Sequence, residues 1–205
     1  MKNEWRKQEK ELYLPANKPR IVNVPEFSFF TIKGQGNPNS AEFAEAIAVL
    51  YSLSYAVKMS FRKGNAPIGY EDYTVYPLEG LWDLTEGGRS KEQLDKNELI
   101  YTIMIRQPAF VSAEFASEII EQVKKSKPHP LLEIVKFEKI TDGACIQMLH
   151  CGSFDEEPKS FELMNQFRNE QGIQLRTRIH REIYLSDARN TDPSKLKTVL
   201  RIMTD

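Results

Sequence analysis

Between Ile173 and Leu185 apolar and polar residues alternate. Ile173, Leu175, Thr177, Ile179, Ile183 and Leu185 take one parity; Arg176, Arg178, His180, Glu182 and Tyr184 take the other. A period of two predicts a half-buried strand, ended by the Asp- and Asn-rich run 187–193. The rest of the chain reads by the same rules. Residues 21–33 are rich in β-branched and aromatic side chains and predict a first strand, with Pro25 marking a bend or an edge. Gly34 and Gly36 close it. Asn39 and Glu42 have capping-box spacing, so a helix is expected over about 40–61, with Phe43, Ile47, Leu50, Tyr51, Ser54 and Tyr55 inward. A second strand is expected over 70–84 with a defect at Pro77, then a polar loop over 85–96 and a third strand over 98–106. Ser112 caps a predicted helix over 112–125, whose apolar line is Phe115, Ile119 and Val123. Strands over 132–140 and 144–151 are expected to meet in a tight Thr141-Asp142-Gly143 turn. A helix over 158–171, stopped by Gly172, and a last strand over 196–203 complete the reading.

This order repeats: strand, helix, strand, strand, then the same again. The predicted class is therefore α+β, an antiparallel sheet with helices packed on it, built as a tandem repeat. The first 20 residues are polar and read as a poorly packed arm, with Leu12 to Pro15 available for docking. Residues 21–205 read as one domain, with a first module over about 21–110, a connecting helix over about 112–127 and a second module over about 131–205.

Composition adds mainly exclusions. The chain has 205 residues, 40% hydrophobic and 28% charged, with a formal net charge of −1, so no global attraction to nucleic acid or to an anionic membrane is expected. No apolar run reaches bilayer length, and the charged N-terminus lacks a signal-peptide core; the cytoplasm is the expected location. Cys145 and Cys151 then read as reduced thiols, two small buried residues on one face of one strand. His129, His150 and His180 have no metal-ligand spacing. Gly34-Gln35-Gly36 lacks the third glycine of a dinucleotide loop, and no Walker lysine is present. Neither metal nor cofactor is expected. Nothing resembles a helix-turn-helix, and the apolar content does not demand a second copy, so a monomer without a nucleic-acid partner is expected.

The run EIYLSDARNTDPSKLKTVLRIM, Glu182 to Met203, resembles the C-terminal signature of the GyrI-like small-molecule-binding domains. LYSLSYAVKMSF (50–61), YTVYPLEGLW (73–82), IMIRQPAFV (103–111) and CIQMLHCGSFDEEP (145–158) resemble further motifs of the stand-alone branch of that family. The resemblance implies two strand–helix–strand–strand modules about a pseudo-twofold axis, a ligand cleft between them, and a glutamate in that cleft, which falls on Glu182. On the residues alone, Glu182 reads as a solvated carboxylate among Arg176, Arg178, His180 and Arg181; the resemblance turns it into a site residue.

Aligning the halves sets Gly80 against Glu182 and Trp82 against Tyr184. One carboxylate then stands at the axis, with room left by Gly80 and flat walls from Trp82 and Tyr184. Tyr51, Tyr55, Met59, Tyr101, Met104 and Phe154 are further candidates for the ligand wall, each also readable as core. An aromatic-walled site with one acid suits a planar or cationic organic molecule. Some stand-alone members of the family hydrolyse cyclopropane-bearing, DNA-alkylating natural products. The resemblance therefore implies a hydrolase in which Glu182 activates water and a tyrosine, Tyr55 or Tyr101, assists at a carbonyl. The alternative is a non-catalytic binder that senses or sequesters its ligand.

Overall fold

The computed structural model describes residues 2–205. In chain order its elements are α1 (Trp5–Gln8), α2 (Lys10–Tyr13), β1 (Arg20–Gln35), α3 (Ala41–Met59), β2 (Leu78–Leu84), α4 (Glu86–Arg89), β3 (Leu99–Gln107), α5 (Ala113–Ser126), β4 (Lys136–Cys151), α6 (Glu157–Glu170), β5 (Leu175–Tyr184) and β6 (Lys197–Thr204). The strand–helix–strand–strand order is present twice, as β1-α3-β2-β3 and β4-α6-β5-β6, and the paired strands are antiparallel. The chain divides into two compact units, neither of them continuous. The first holds residues 2–3, 27–78 and 83–140; the second holds 4–26, 79–82 and 141–205.

In the first unit β1 pairs with β3, Thr31 facing Met104. Phe30, Ile32, Leu50, Leu53, Val57, Ile103, Ile105 and Ile119 form its buried interior. Helix α3 begins one residue later than the capping spacing suggests. Its N-cap is Ser40, whose Oγ accepts from the Phe43 amide at 3.2 Å, a contact of a kind that contributes about 1 kcal/mol. Its buried positions include Phe43, Ala46, Leu50, Leu53 and Val57, so the inward face is rotated from the expected one and Tyr55 stands outward, 52% exposed. The cause is the Ala-rich sequence of this helix, which is apolar nearly all round and leaves the period ambiguous. Ser112 caps α5 as expected, accepting from Phe115. Residues 70–77 do not form the expected strand; β2 starts only after Pro77, and Tyr73 makes an isolated bridge to Asn3.

In the second unit the strand order is β2-β5-β6-β4, with Gly80 facing Glu182, Glu182 facing Leu200 and Met148 facing Leu200 from the other side. The expected turn at 141–143 is absent. β4 runs unbroken for 16 residues, and Gly143 takes φ of +69° within it, a conformation that glycine enters without strain. The Thr-Asp-Gly triplet mimics a turn because it supplies turn residue types, but Asp142 uses its side chain elsewhere, as described below. Cys145 is buried and Cys151 exposed, and both are free thiols.

The N-terminal segment also departs from expectation. Trp5 and Tyr13 are 3% and 2% exposed, with ring centroids 5.2 Å apart. Ala16 accepts from the Leu149 amide at 2.9 Å, and the Leu12 and Glu11 carbonyls accept from Arg201 and Gln147. The charged residues of this stretch hide two large aromatic anchors, which carry more burial energy than their number suggests.

Candidate functional site

Strand β5 does not keep one register with β6. Leu175 faces Thr204 and His180 faces Ile202, so five steps along β5 match two along β6. An odd excess moves every side chain beyond it to the other face. Leu175 and His180 therefore share a side despite opposite parity. Ile173 and Leu175 pack on the cluster of Ile146, Met148, Met164, Leu200 and Ile202, and the Phe161 ring of α6 meets the His180 ring edge-on at 4.8 Å. The α6 side of the sheet thus receives His180, Glu182 and Tyr184. The opposite side receives Arg181, which continuous alternation would also place away from Glu182.

Glu182 is 9% exposed, and both of its oxygens are engaged. Oε1 lies 2.9 Å from His180 Nε2. Oε2 accepts from the Tyr184 hydroxyl at 2.8 Å, and that hydroxyl accepts from Trp82 Nε1 at 2.8 Å. Trp82 itself pairs in register with His180. The expected neighbours are therefore assembled, with one difference. The space beside Gly80 is filled: a Cβ there would stand 2.7 Å from Trp82 Nε1 and 3.2 Å from Tyr184 Oη. Glycine is needed so that the indole can cross the strand and reach the phenol. Phe154 is 40% exposed and meets Tyr184 edge-on at 5.9 Å.

A second carboxyl joins this group, one that periodicity did not single out. Glu157, in the first turn of α6, is 6% exposed, and Glu182 is the neighbouring charge that acts most on it. Burial first, then Glu182 and finally Asp155, push the Glu157 carboxyl well above the ordinary carboxyl range. Its Oε1 has no hydrogen-bond partner. The Tyr184 phenol is likewise raised well above its usual value, first by burial and then by Glu182, with Trp82 acting in the opposite direction; it stays protonated and can only donate to Glu182. The available signal for Glu157 was the acidic run Asp155-Glu156-Glu157 before Pro158, inside a motif quoted above only for the family resemblance.

On the opposite face Arg181, 1% exposed, donates from Nε to Asp142 Oδ2 at 2.7 Å and from Nη1 to Glu79 Oε2 at 2.8 Å. Arg201 bridges Asp142 and Gln147. Burial opposes the ionisation of Asp142, but Arg181 and then Arg201 outweigh it and hold the group below its ordinary value. This network is spent on itself and on backbone carbonyls, which suits a structural role.

The remaining candidates belong to the first unit. Tyr51 and Tyr55 are ring neighbours at 6.3 Å on α3, and Met59 ends that helix half-buried. Tyr101 closes over Gly34 and meets Phe43 edge-on at 4.9 Å; Met104 is wholly buried. Tyr101 and Met104 therefore serve the interior of that unit. Among the described residues no group of three or more His, Cys, Asp or Glu side chains is arranged to hold a metal ion, and no helix is long and apolar enough to cross a membrane.

Comparison with known proteins extends this geometry. The chain is similar to a hydrolase from Listeria innocua, 35% identical with a TM-score of 0.90. It is also similar to a second hydrolase structure from that organism, 37% identical with a TM-score of 0.92. In both cases all of each chain is covered. The C-terminal domain of EcmrR shares the fold alone, at 12% identity and a TM-score of 0.56 over 92% of this chain and 97% of that one. No curated protein sequence matches. A family model, the GyrI-like small molecule binding domain, matches residues 17–204, and the chain belongs to that family.

Proposed function

We propose that this protein binds a small aromatic or cationic organic molecule beside Glu182 and hydrolyses an activated cyclopropane within it. The observation that carries the reading is Glu182, buried and fixed by His180 and Tyr184, with the buried Glu157 carboxyl raised in part by it. A base and a neighbouring acid are what addition of water across a strained ring requires. Glu182 takes a proton from water as the water oxygen bonds to a ring methylene. The ring carbon–carbon bond breaks, and its electron pair moves to the conjugated carbonyl, whose oxygen takes the proton of Glu157. Proton exchange from Glu182 to Glu157 then restores both groups. Trp82, Tyr184 and Phe154 supply flat surfaces for the ring system. Tyr184, bonded to Glu182, takes the tyrosine's part as the group that aims the base. Similarity over the whole chain to structures described as hydrolases supports a hydrolytic reading.

The test is incubation with a cyclopropane-bearing alkylating natural product, with the ring-opened alcohol followed by mass spectrometry. Turnover is expected, falling at least a hundredfold in Glu182→Gln, the size of a lost general base. Saturable binding without product would support a sensor or sequestering protein instead. Turnover undiminished in Glu182→Gln would reject the mechanism.

A further inference from the structure

His150 belongs to none of the groups assigned above, yet its two bonds lead back to them. It pairs with Thr198 of β6 and is 4% exposed. Two steps along β4 from Met148, it shares the side of the sheet on which Met148 meets Met164 of α6. Its Nε2 lies 3.0 Å from the Ser153 carbonyl and its Nδ1 2.9 Å from Ser160 Oγ. A carbonyl only accepts, so Nε2 carries the proton, and in the neutral ring Nδ1 accepts from the Ser160 hydroxyl. We propose that His150 is the positioning residue of the Glu182 site: it fixes the two phenylalanines that seat the two side chains gripping Glu182. This deepens the hydrolytic reading above and rests on it for Glu182 as the base.

The route runs through an adjacent residue on each side. Next to Ser153 is Phe154, whose ring meets the Tyr184 ring edge-on at 5.9 Å, and Tyr184 donates to Glu182 Oε2. Next to Ser160 is Phe161, whose ring meets the His180 ring edge-on at 4.8 Å, and His180 Nε2 lies against Glu182 Oε1. One imidazole thus governs both oxygens of the base. Its bonds also replace a missing cap. Ser40 and Ser112 cap α3 and α5 with their hydroxyls, whereas Glu156, at the N-cap of α6, makes no side-chain cap bond. An uncapped start leaves a helix prone to fray, and here the ring on β4 holds both the turn before α6 and its opening residues. Gly152, at φ of +137°, lets the chain fold back over that ring; a Cβ there would stand 2.9 Å from Glu156 Oε2 and 3.5 Å from His150 Nε2. A histidine that only satisfied its own nitrogens could take any buried donor and acceptor; both partners of His150 precede a ring of the site.

His150→Leu removes both bonds at similar volume, and His150→Gln keeps an N–H and a carbonyl on one planar group. Turnover of a cyclopropane-bearing alkylating natural product is measured per folded molecule, well below the unfolding range. In His150→Leu kcat should fall roughly ten- to a hundredfold, by more than KM rises, the scale of a misplaced catalytic group. His150→Gln should recover most of it. The second readout needs no turnover. Trp82 Nε1 donates to Tyr184, so its indole N–H resonance should move in His150→Leu and return in His150→Gln. The indole resonance of Trp5, buried in the same unit, should stay in place. An unmoved Trp82 signal, equal movement of both indoles as in simple loosening of the unit, or an unchanged kcat in His150→Leu overturns the proposal. Should His150→Leu not fold, Ser160→Ala, which breaks one of the two bonds, is judged by the same outcomes. Absence of turnover in the wild type rejects the hydrolytic reading, and the two indole signals then decide the role of His150 by themselves.

Discussion

Gly80 and Arg181 show how much single residues decide. In Gly80→Ala the new methyl would overlap the Trp82 indole, a rigid ring that cannot yield like a flexible chain end. Overpacking of this kind costs about 1–3 kcal/mol. The indole should leave Tyr184, with a shift in tryptophan emission and weaker ligand binding as the readouts. An unchanged spectrum and affinity would show that the Trp–Tyr–Glu chain does not depend on that gap. Arg181→Met takes the Arg181 cation from the buried Glu79 and Asp142 and leaves Asp142 the longer, 3.4 Å contact to Arg201. Breaking a buried pair from one side costs about 3–5 kcal/mol, so a clear fall in urea midpoint is expected, larger than for Arg201→Met, which leaves the Arg181 contacts in place. Arg181 was hard to assign from sequence because it interrupts an otherwise apolar parity. Only the acids that receive it, brought from residues 79 and 142, explain its burial.

At the scale of elements, order and type were legible and local geometry less so. Caps and Pro/Gly stops placed α3, α5 and α6 within a few residues, since these signals are local. Strand β5 was legible as a strand, but its slip against β6 was not, because register depends on a partner some twenty residues away. The slip matters for chemistry: it lets Leu175 join the core on the side that also carries Glu182. Trp82, Gly80, Tyr184 and Glu182 emerged together because family motifs carried them. Glu157 did not, since a glutamate before a proline at a helix start has an ordinary explanation. Deleting one residue within 176–179 should restore continuous alternation on one side of the slip and misplace the other. Loss of ligand binding with far-ultraviolet dichroism largely retained is the expected result; full binding would show that the strand can reset its own register.

For the whole molecule the two perturbed acids set opposite pH limits. Asp142 is depressed, so its contribution is present above its unfolded value and lost as pH falls through the folded one. Glu157 is raised, so its contribution is full below its unfolded value and drains away as pH rises through the folded one. Between those values Glu157 should cost up to about 1.4 kcal/mol of stability per pH unit. Urea titrations from about pH 5 to pH 8 should show this slope in the wild type and its absence in Glu157→Gln; parallel curves would mean that Glu157 is ionised in the native state. Removal of residues 2–14 should lower stability by several kcal/mol, about 2–3 for each buried aromatic, because Trp5 and Tyr13 leave the core and Arg201 loses the Leu12 carbonyl.

That N-terminal segment has a consequence for how the protein is made. Residues 4–26 belong to the same unit as β6, whose residues are translated long after them. Trp5 and Tyr13 emerge well before β6 and must wait through the translation of the residues between before their unit is complete. This unit therefore cannot complete its fold until β6 has been made, and a nascent chain stalled before residue 197 should present those two rings to any chaperone that samples it.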